Sequence, residues 1–530
     1  GIWNSSEAVT LNDKILTGTI NNSYPITARL RIDLEEGQIS GVYWYDKVKS
    51  ELHVSGLIKK NGSYELTEYN QADEITGFFY GDVEGGTFSG KWENKDHSKS
   101  NMQKVALTAL AGTSIEWYDF FLYGAAAALI FPTAFFGEAT PSTALILSLL
   151  TFAAGFIARP IGGIIFGHYG DRVGRKKTLV MALILMGVSS TLIGLLPTYA
   201  MIGITAPILL TSLRFAQGLA IGGQWGGAML LVTESAPSNQ RGYYGAFAQA
   251  GAPVGVILAN LAFITTSALV SEESFYAWGW RIPFLASAIL IGISMYIQLN
   301  LEDTKAFKEL QALRESQQDD NEEAIRRSPI LEAIQKYPKR IALAAGAFLS
   351  IQVTFYILIA FLLAYGVASA DITRDDMLAA VLIASAIMVP VQFMFSSYSD
   401  RHGRKGVFMA GAILTGLWAF AIFPLVDTGN FWLIVLAITG GLIFVSMMYG
   451  PQAAFFTELF STEVRYSGAT LGYQFGAILG GAFAPTIAAL LWKDYGIFWV
   501  SVYIALASLL TLLSVMALTE TYQTDLNDNV

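Results

Sequence analysis

The sequence predicts an all-α membrane protein with twelve transmembrane helices in two six-helix halves, preceded by a small antiparallel β-meander domain. Its 530 residues are 53% hydrophobic and only 14% charged, whereas soluble domains carry about 25% charged residues. Charged motifs of the apolar region return later in the chain at a large, nearly constant spacing, as expected of a duplicated membrane half. Residues 1–100 differ: they are polar and rich in glycine, and apolar and polar positions alternate.

A five-residue pattern with Ser or Thr before a central glycine recurs in residues 1–100. Its copies are Leu16–Ile20, Ile39–Tyr43, Val54–Ile58, Ile75–Phe79 and Phe88–Trp92. Alternation between turn residues predicts short antiparallel strands in a meander, and glycines inside strands favour a strongly twisted or bent sheet. Residues 94–101 are expected to form a linker. The domain is either structural or a module for a partner that the sequence does not name, and it is either native to the membrane part or fused to it.

Apolar runs long enough to cross the roughly 30 Å hydrocarbon core of a bilayer begin after residue 102. Six belong to a first half at 102–301 and six to a second half at 340–518, with a charged connector at 302–339 and a tail at 519–530. The runs are expected at 105–136, 145–168, 178–197, 207–231, 245–270, 282–301, 340–365, 376–398, 405–426, 431–456, 467–492 and 498–518.

Two charged stretches lie between apolar runs, Gly167–Lys177 in the first half and Ser399–Lys405 in the second, and both are expected to be loops. Each is followed by a Glu and an Arg at the same spacing. Because these groups repeat, we interpret them as a latch whose salt bridges break when that side of the protein opens. The predicted latch residues are Asp171, Arg172, Arg175, Glu234, Arg241, Asp400, Arg401, Arg404, Glu458 and Arg465.

Lysine and arginine are concentrated in the loops on one side of the predicted bundle. That side holds both charged stretches and the 302–339 connector, whereas the opposite loops hold only Arg281, Arg374 and Lys493. Basic loops of membrane proteins face the cytoplasm. The charged stretches, the connector, both termini and the β domain are therefore expected in the cytoplasm.

Four ionisable residues lie well inside apolar runs: Glu116, Asp119, Arg159 and Arg214. Charges at that depth are costly and almost always face a partner or a cavity. In one interpretation the acids and arginines form structural ion pairs. In the other, a poorly hydrated carboxylate takes and releases a proton near neutral pH, and an unpaired arginine holds a substrate carboxylate. The predicted substrate-binding set is Arg159, Arg214, Tyr123, Gln224, Trp225, Tyr356 and Gln474.

The composition also excludes several function classes. No cysteine is present, which removes disulfides and thiolate chemistry, and the four histidines show no spacing suited to a metal. No basic patch indicates nucleic-acid binding, and no nucleophile, metal or cofactor constellation indicates an enzyme. We therefore expect neither an enzyme nor a bound cofactor.

Residues 102–520 resemble the major facilitator superfamily and, within it, the metabolite:proton symporter family. The motifs that carry the resemblance are Gly112–Gly124, Phe156–Gly162, Gly167–Lys177, Arg214–Gly218, Gly222–Ala228 and Trp278–Phe284. The resemblance implies proton-driven uptake of a small organic acid or zwitterion across the cell inner membrane. The stretch Arg241–Pro253 favours the shikimate-like organic-acid branch of the family.

We therefore expect a proton-coupled symporter that imports a shikimate- or dicarboxylate-like acid by alternating access, driven by the proton gradient. Glu116 and Asp119 would carry the proton, more so because Gln224 stands where many family members have Glu. The chain ends at Val530 without the coiled coil of osmosensory members. A proline or betaine symporter is an alternative, as is a nutrient sensor that signals through the β domain, which matches nothing in the family.

Overall fold

A computed structural model describes residues 2–4, 14–20, 24–33, 37–47, 49–59, 61–84, 87–173, 175–224, 236, 240–303, 334–460 and 465–521. Within these ranges, the side chains of residues 2–4, 14, 95–101, 167–173, 175–176, 223–224, 302–303 and 465–470 lie outside the description. The chain divides into two compact units, Gly1–Lys104 and Val105–Val530.

The first unit is a closed barrel of eight antiparallel strands in simple meander order. The strands are β1 (Ile2–Asn4), β2 (Lys14–Ile20), β3 (Tyr24–Asp33), β4 (Gln38–Tyr45), β5 (Glu51–Ile58), β6 (Ser63–Tyr69), β7 (Ile75–Glu84) and β8 (Thr87–Asn94). Short β1 pairs with both β2 and β8 and so closes the sheet. Closure goes beyond the predicted meander, and it leaves no free sheet edge for association with another chain.

The sequence pattern of the strands explains the barrel. In β3, Ile26, Ala28, Leu30 and Ile32 are buried while the residues between them are more exposed, which gives an apolar interior. The recurrent glycines allow close approach of neighbouring strands. A Cβ at Gly56 would lie 1.8 Å from the carbonyl oxygen of the residue at position 65 on β6, so no other residue fits there without a backbone shift.

One carboxylate, Glu68, is buried inside the barrel and is fully hydrogen-bonded. It accepts hydrogen bonds from the Tyr43 hydroxyl, from Trp92 Nε1 at 2.9 Å and from Thr76 Oγ1 at 2.5 Å. Burial, together with the neighbouring Glu68 carboxylate, raises the pKa of Tyr43, so this hydroxyl stays protonated as a donor. The group ties β4, β6, β7 and β8 together.

The second unit consists of long helices, of which ten among the described residues are long and apolar enough to cross a membrane. The helices are α1 (Lys95–Leu129), α2 (Pro141–Val173), α3 (Arg175–Leu195), α4 (Thr205–Gln224), α5 (Arg241–Leu269), α6 (Arg281–Asp303), α7 (Pro338–Ser369), α8 (Arg374–His402), α9 (Arg404–Asp427), α10 (Phe431–Glu458), α11 (Arg465–Gly476 and Ala484–Asp494) and α12 (Ile497–Ala517). Short helices lie at Phe131–Phe136, Tyr199–Ile202 and Glu272–Ser274. The predicted fold class is confirmed.

The structure adds detail at two predicted boundaries. The expected linker at 94–101 is helical from Lys95 onward, because a helix that has already nucleated extends at little cost. The first apolar run is broken at Ile130, and a proline near the start of the next helix explains the break. The 302–339 connector and the tail lie mostly outside the described residues.

The charged stretches are also mostly helix ends rather than loops. Residues 167–173 belong to the end of α2, and α3 begins at Arg175. In the second half α8 ends at His402 and α9 begins at Arg404, with Gly403 alone between them. Gly403 has φ of 100°, a conformation that favours glycine and reverses the chain within one residue.

The two halves meet along α5 and α8, which run antiparallel. Near the start of α5 the backbone N–H of Gly242 donates to Asp400 at the end of α8, and near the end of α5 Asn260 Nδ2 donates to the Leu378 carbonyl at 3.1 Å. We call the end that holds Arg241 and Asp400 the latch end and the other the far end. α7 and α11 each contain a π-helical turn, at Ile357–Phe361 and Ala477–Ala482, a feature frequent at functional sites.

Candidate functional site

The guanidinium of Arg159 lies among aromatic rings in the first half. Its Cζ is 5.0 Å from the ring centre of Trp117, 4.2 Å from that of Phe120 and 4.5 Å from that of Phe156. The side chain is 2% exposed, and its Nε and Nη2 have no hydrogen-bond partner among the described residues. Cation–π contacts stabilise the buried charge, and the N–H groups of Nε and Nη2 have no acceptor among the described residues.

Arg214 is fully buried beside this group, and its Nη2 also has no hydrogen-bond partner among the described residues. Its Cζ lies 3.7 Å from the ring centre of Phe120 and 4.6 Å from those of Tyr123 and Phe152. Its Nε donates to the Phe152 carbonyl and its Nη1 to the Phe120 carbonyl, both at 3.3 Å. A Cβ at Gly155 would lie 2.5 Å from Nε, so the glycine makes room for the side chain. The two guanidinium groups therefore share the ring of Phe120.

The two buried carboxylates of α1 are bonded to neutral groups. Glu116 accepts a hydrogen bond from Gln298 Nε2 of α6. Asp119 Oδ2 accepts from Ser190 Oγ of α3 at 3.0 Å, and its Oδ1 has no partner among the described residues. Neither acid forms an ion pair with Arg159 or Arg214 in the part of the chain described, so the interpretation as structural ion pairs does not fit this conformation.

A continuous row of hydrogen bonds links Asp119 to Arg214. Arg214 Nη1 donates to Gln217 Oε1 at 3.3 Å, Gln217 Nε2 donates to Ser190 Oγ at 2.7 Å, and Ser190 Oγ donates to Asp119. Every member is buried. Because a guanidinium can only donate, Gln217 and Ser190 are held in these donor and acceptor roles, and the row ends on the Asp119 carboxylate.

The second half faces the arginines with neutral side chains. The ring of Tyr356 packs edge-on against Phe156, with the ring centres 4.9 Å apart. Gln352 lies one turn before Tyr356 on α7, and its Oε1 is buried with no hydrogen-bond partner among the described residues.

The structure brings together part of the predicted substrate-binding set. Arg159, Arg214 and Tyr356 cluster, and Tyr123 lies under Arg214 with its hydroxyl on Thr151 at 2.7 Å. Gln474 of α11 is buried, and the described part of the chain offers its Oε1 no hydrogen-bond partner. The side chains of Gln224 and Trp225 lie outside the described residues.

At the latch end, an ion pair and two backbone hydrogen bonds join the two halves. Arg241 Nη1 of α5 lies 2.8 Å from Glu458 Oε2 of α10, and Arg404 Nε binds the other oxygen of Glu458. Asp400 accepts hydrogen bonds from the backbone N–H groups of residues 242 and 243 at 2.7 and 3.0 Å, and pairs with Arg404 at 3.1 Å. A carboxylate at the first turn of α5 is favoured by the helix dipole.

Of the other predicted latch residues, the structure describes the side chain of Arg401 alone. Arg401 is exposed. The side chains of the remaining members lie outside the described residues, and these are Asp171, Arg172, Arg175, Glu234 and Arg465.

The far end is also held between halves, by groups that the sequence reasoning did not single out. Arg374 Nη2 donates to Ser267 Oγ at 2.7 Å, and that hydroxyl donates to Asp375 Oδ2 at 2.7 Å. The Arg374 guanidinium lies 3.9 Å from the ring centre of Phe275. Contacts at both ends of α5 and α8 indicate a central site closed off at this interface.

Sequence reasoning missed the amides and hydroxyls that connect the charged groups: Ser190, Gln217, Gln298 and Gln352. A buried charge in a helix is visible in the sequence because it interrupts an apolar run. Serine gives no comparable signal, because its hydroxyl often bonds its own helix, as Ser189 does with the Leu185 carbonyl at 2.7 Å.

Comparison with known proteins finds one matching family model and several similar transport proteins. The family model described as Major Facilitator Superfamily matches residues 109–472 and 377–529. The inner membrane metabolite transport protein YhjE of Escherichia coli K12 is 40% identical over 430 residues, which cover 80% of this chain and 95% of that protein. The shikimate transporter of the same strain is 38% identical over 417 residues, covering 77% and 92%.

A third relative and two solved structures extend the comparison. The proline/betaine transporter of Salmonella typhimurium LT2 is 33% identical over 396 residues, covering 73% of this chain and 77% of that protein. The proton:xylose symporter XylE, bound to 6-bromo-6-deoxy-D-glucose, has a TM-score of 0.60 at 18% identity, covering 81% and 98%. Its partially occluded inward-open form, from E. coli, has a TM-score of 0.58 at 17% identity, covering 80% and 99%. At this identity the likeness shows the fold.

Proposed function

The chain belongs to the Major Facilitator Superfamily, and from this premise we propose that it is a proton-coupled symporter that imports a small organic acid by alternating access. The family confirms the expectation of a transporter rather than an enzyme. The observation that carries the proposal is Arg159, whose buried guanidinium keeps unpartnered N–H groups beside the second half. Such a cation favours a carboxylate, which it holds in a bidentate pair.

Proton coupling is assigned to Asp119 and Glu116. A charged Asp119 accepts the Ser190 hydroxyl, whereas a protonated one is itself a donor at one oxygen. Protonation therefore removes the negative charge at the Asp119 end of the row that leads through Ser190 and Gln217 to Arg214, whose guanidinium shares the ring of Phe120 with Arg159. Glu116, bonded to Gln298, is the second candidate on the same helix. No bound cofactor is invoked, because the proton gradient supplies the driving force.

Alternating access requires that the two ends open in turn. The Arg241–Glu458 pair and the Asp400 cap close the latch end in this conformation. By the distribution of basic residues we assign the latch end and both termini to the cytoplasm, and the helices to the cell inner membrane, as the name of the YhjE relative supports.

The test is uptake into proteoliposomes of labelled shikimate, 2-oxoglutarate, citrate and betaine, with and without an inward proton gradient. We expect accumulation of an acid that depends on the gradient. Accumulation that is the same without the gradient would contradict symport, and absence of any transport with retained binding would favour a sensor.

A zwitterion symporter is the second candidate, and the proline/betaine relatives favour it. In that case betaine or proline would accumulate and the acids would not. The aromatic side chains around Arg159 would then have to bind an ammonium group beside a guanidinium of the same charge.

A further inference from the structure

The residues that follow the last helix return to the latch end. α12 ends at Ala517, and the next four residues, Leu518–Thr521, contact the start of α9 and the latch itself. We call Leu518–Thr521 the tail strap. Its first and last residues are 4% and 3% exposed, whereas the two between them are exposed. The strap is therefore anchored to the second half on either side of Glu520.

The carboxylate of Glu520 caps the first turn of α9. Its Oε1 accepts the backbone N–H of Arg404 at 2.9 Å, and its Oε2 accepts that of Lys405 at 3.0 Å. In the opposite direction, Lys405 Nζ donates to the Met516 carbonyl in the last turn of α12 at 3.2 Å. The first N–H groups of a helix lack partners within it, and the helix dipole favours an anion at that end and a cation at the other. The start of α9 and the end of α12 are therefore joined by charges that match their dipoles.

The residue that Glu520 holds by its backbone also carries a side chain of the latch. Arg404 is fully buried, and its guanidinium binds Glu458. Glu458 in turn binds Arg241 of the first half, and Thr521 Oγ1 lies 3.5 Å from Glu458 Oε1. The strap thus reaches the ion pair between the halves in two ways, through the backbone of Arg404 and directly through Thr521.

A motif like the strap stands at the corresponding place in the first half. Leu301–Thr304 lies at the end of α6, and Leu518–Thr521 follows α12. Both consist of Leu, a variable residue, an acid and Thr in that order. Since the charged motifs of the latch also occur once in each half, this repeat favours a role at the latch over a chance contact.

We propose that the tail strap controls the latch: docked, it holds Arg404 against Glu458 and keeps the latch end closed, and its release opens that end. Glu520 is exposed whereas the ion pair is buried, so the strap is the part of the latch that can be released from the aqueous side without first breaking the pair. Glu520 is then a positioning residue. The inference goes beyond the proposed function but rests on its alternating access, because the strap acts through the latch.

The test uses single thiols in the full-length protein, which has no cysteine of its own. Ser396→Cys places a buried thiol beside Gly242, where labelling by a water-soluble maleimide reports opening of the latch end. We expect Glu520→Ala to raise the labelling rate about 5-fold, equivalent to about 1 kcal/mol, because the cap on α9 is lost.

Two controls separate release of the strap from general loosening. Thr519→Ala changes the exposed neighbour of Glu520 and should label at the parent rate. Ser501→Cys gives a thiol buried between α12 and α9, and it should stay unlabelled in Glu520→Ala because only the latch end opens. Labelling of that thiol would show general loosening and would overturn the inference.

A double variant tests whether the strap acts through the ion pair. Arg241→Met breaks the pair directly, so adding Glu520→Ala should raise labelling of the Ser396→Cys thiol by less than the product of the two separate effects. A parent labelling rate in Glu520→Ala, equal acceleration by Thr519→Ala, or a full product in the double variant would overturn the inference. If Arg241→Met alone does not accelerate labelling, the latch of the proposed function is contradicted, and the strap with it.

Discussion

The two membrane halves repeat the same parts at the latch end but differ in their interiors. Both carry the charged stretch and the Glu and Arg that follow it. Within the apolar runs, however, the ionisable residues Glu116, Asp119, Arg159 and Arg214 all belong to the first half. The second half meets them with Tyr356 and amides.

This difference separates two tasks that a duplicated transporter must perform. Closing an end needs equivalent parts on both halves, because the halves rock against each other. Holding a proton and an anion needs buried charge, which is costly in the membrane and is tolerated only where it is used. The account therefore predicts that charge substitutions inside the first half change the chemistry, whereas those at the latch end change the conformation.

The largest effect is expected for Arg159→Gln. Loss of a buried, charge-assisted bidentate pair costs about 3 kcal/mol, so uptake should fall about 100-fold. The control is Arg401→Gln, which alters an exposed arginine of the second half and should leave uptake unchanged. Uptake and folding are measured on the same preparations by transport assay and size-exclusion chromatography. Wild-type uptake by Arg159→Gln would remove the proposed role.

The second largest effect is expected at the latch end, from Arg241→Met. Removing one partner of a buried ion pair costs about 3–5 kcal/mol and should open this end. Because the chain has no cysteine, Ser396→Cys gives a single thiol beside Gly242, where it is buried. We expect a water-soluble maleimide to label this thiol at least about 10-fold faster in Arg241→Met.

The Arg401→Gln variant serves as the control for labelling as well, and it should label at the parent rate. An unchanged labelling rate in Arg241→Met would show that the ion pair does not hold the latch end closed.

A smaller effect is expected for Ser190→Ala, which removes the hydroxyl between Asp119 and Gln217. That hydroxyl stabilises the charged carboxylate, so without it the carboxylate takes its proton at a higher pH. The pH midpoint of uptake should therefore move upward, by about 1 unit for a loss of about 1.4 kcal/mol. Ser189→Ala, which removes only a bond within α3, should leave the midpoint unchanged. The same midpoint shift in both variants would exclude a specific bridge.

The smallest effect on transport is expected from deletion of residues 1–101. The barrel has its own core, built from inward residues such as Leu16, Ile39 and Phe79. Full uptake by the shortened chain would agree with a transporter whose chemistry lies in the membrane part. Loss of uptake with the shortened chain still folded would favour the sensor in which the barrel participates.

Features that depend on the length of an apolar run or on a charge inside it could be predicted from the sequence. It predicted the two sets of spans and the ionisable residues inside the first half, because an uninterrupted apolar run has few other solutions. It left open whether the arginines pair with the acids. It did not predict the pairing of Arg241 with Glu458 across the halves, since the spacing of repeated motifs does not say which copies meet. Nor did it predict closure of the barrel, which depends on three-residue β1 joining β8.

The most direct test of the account is whether Asp119 carries the proton. Proteoliposomes enclosing a pH-sensitive dye receive an inward gradient of the transported acid without any proton gradient. We expect the wild type to acidify the lumen, because substrate entering by symport brings protons with it. Asp119→Asn should exchange labelled for unlabelled substrate but leave the lumen pH unchanged. Acidification by Asp119→Asn at the wild-type rate would contradict the assignment.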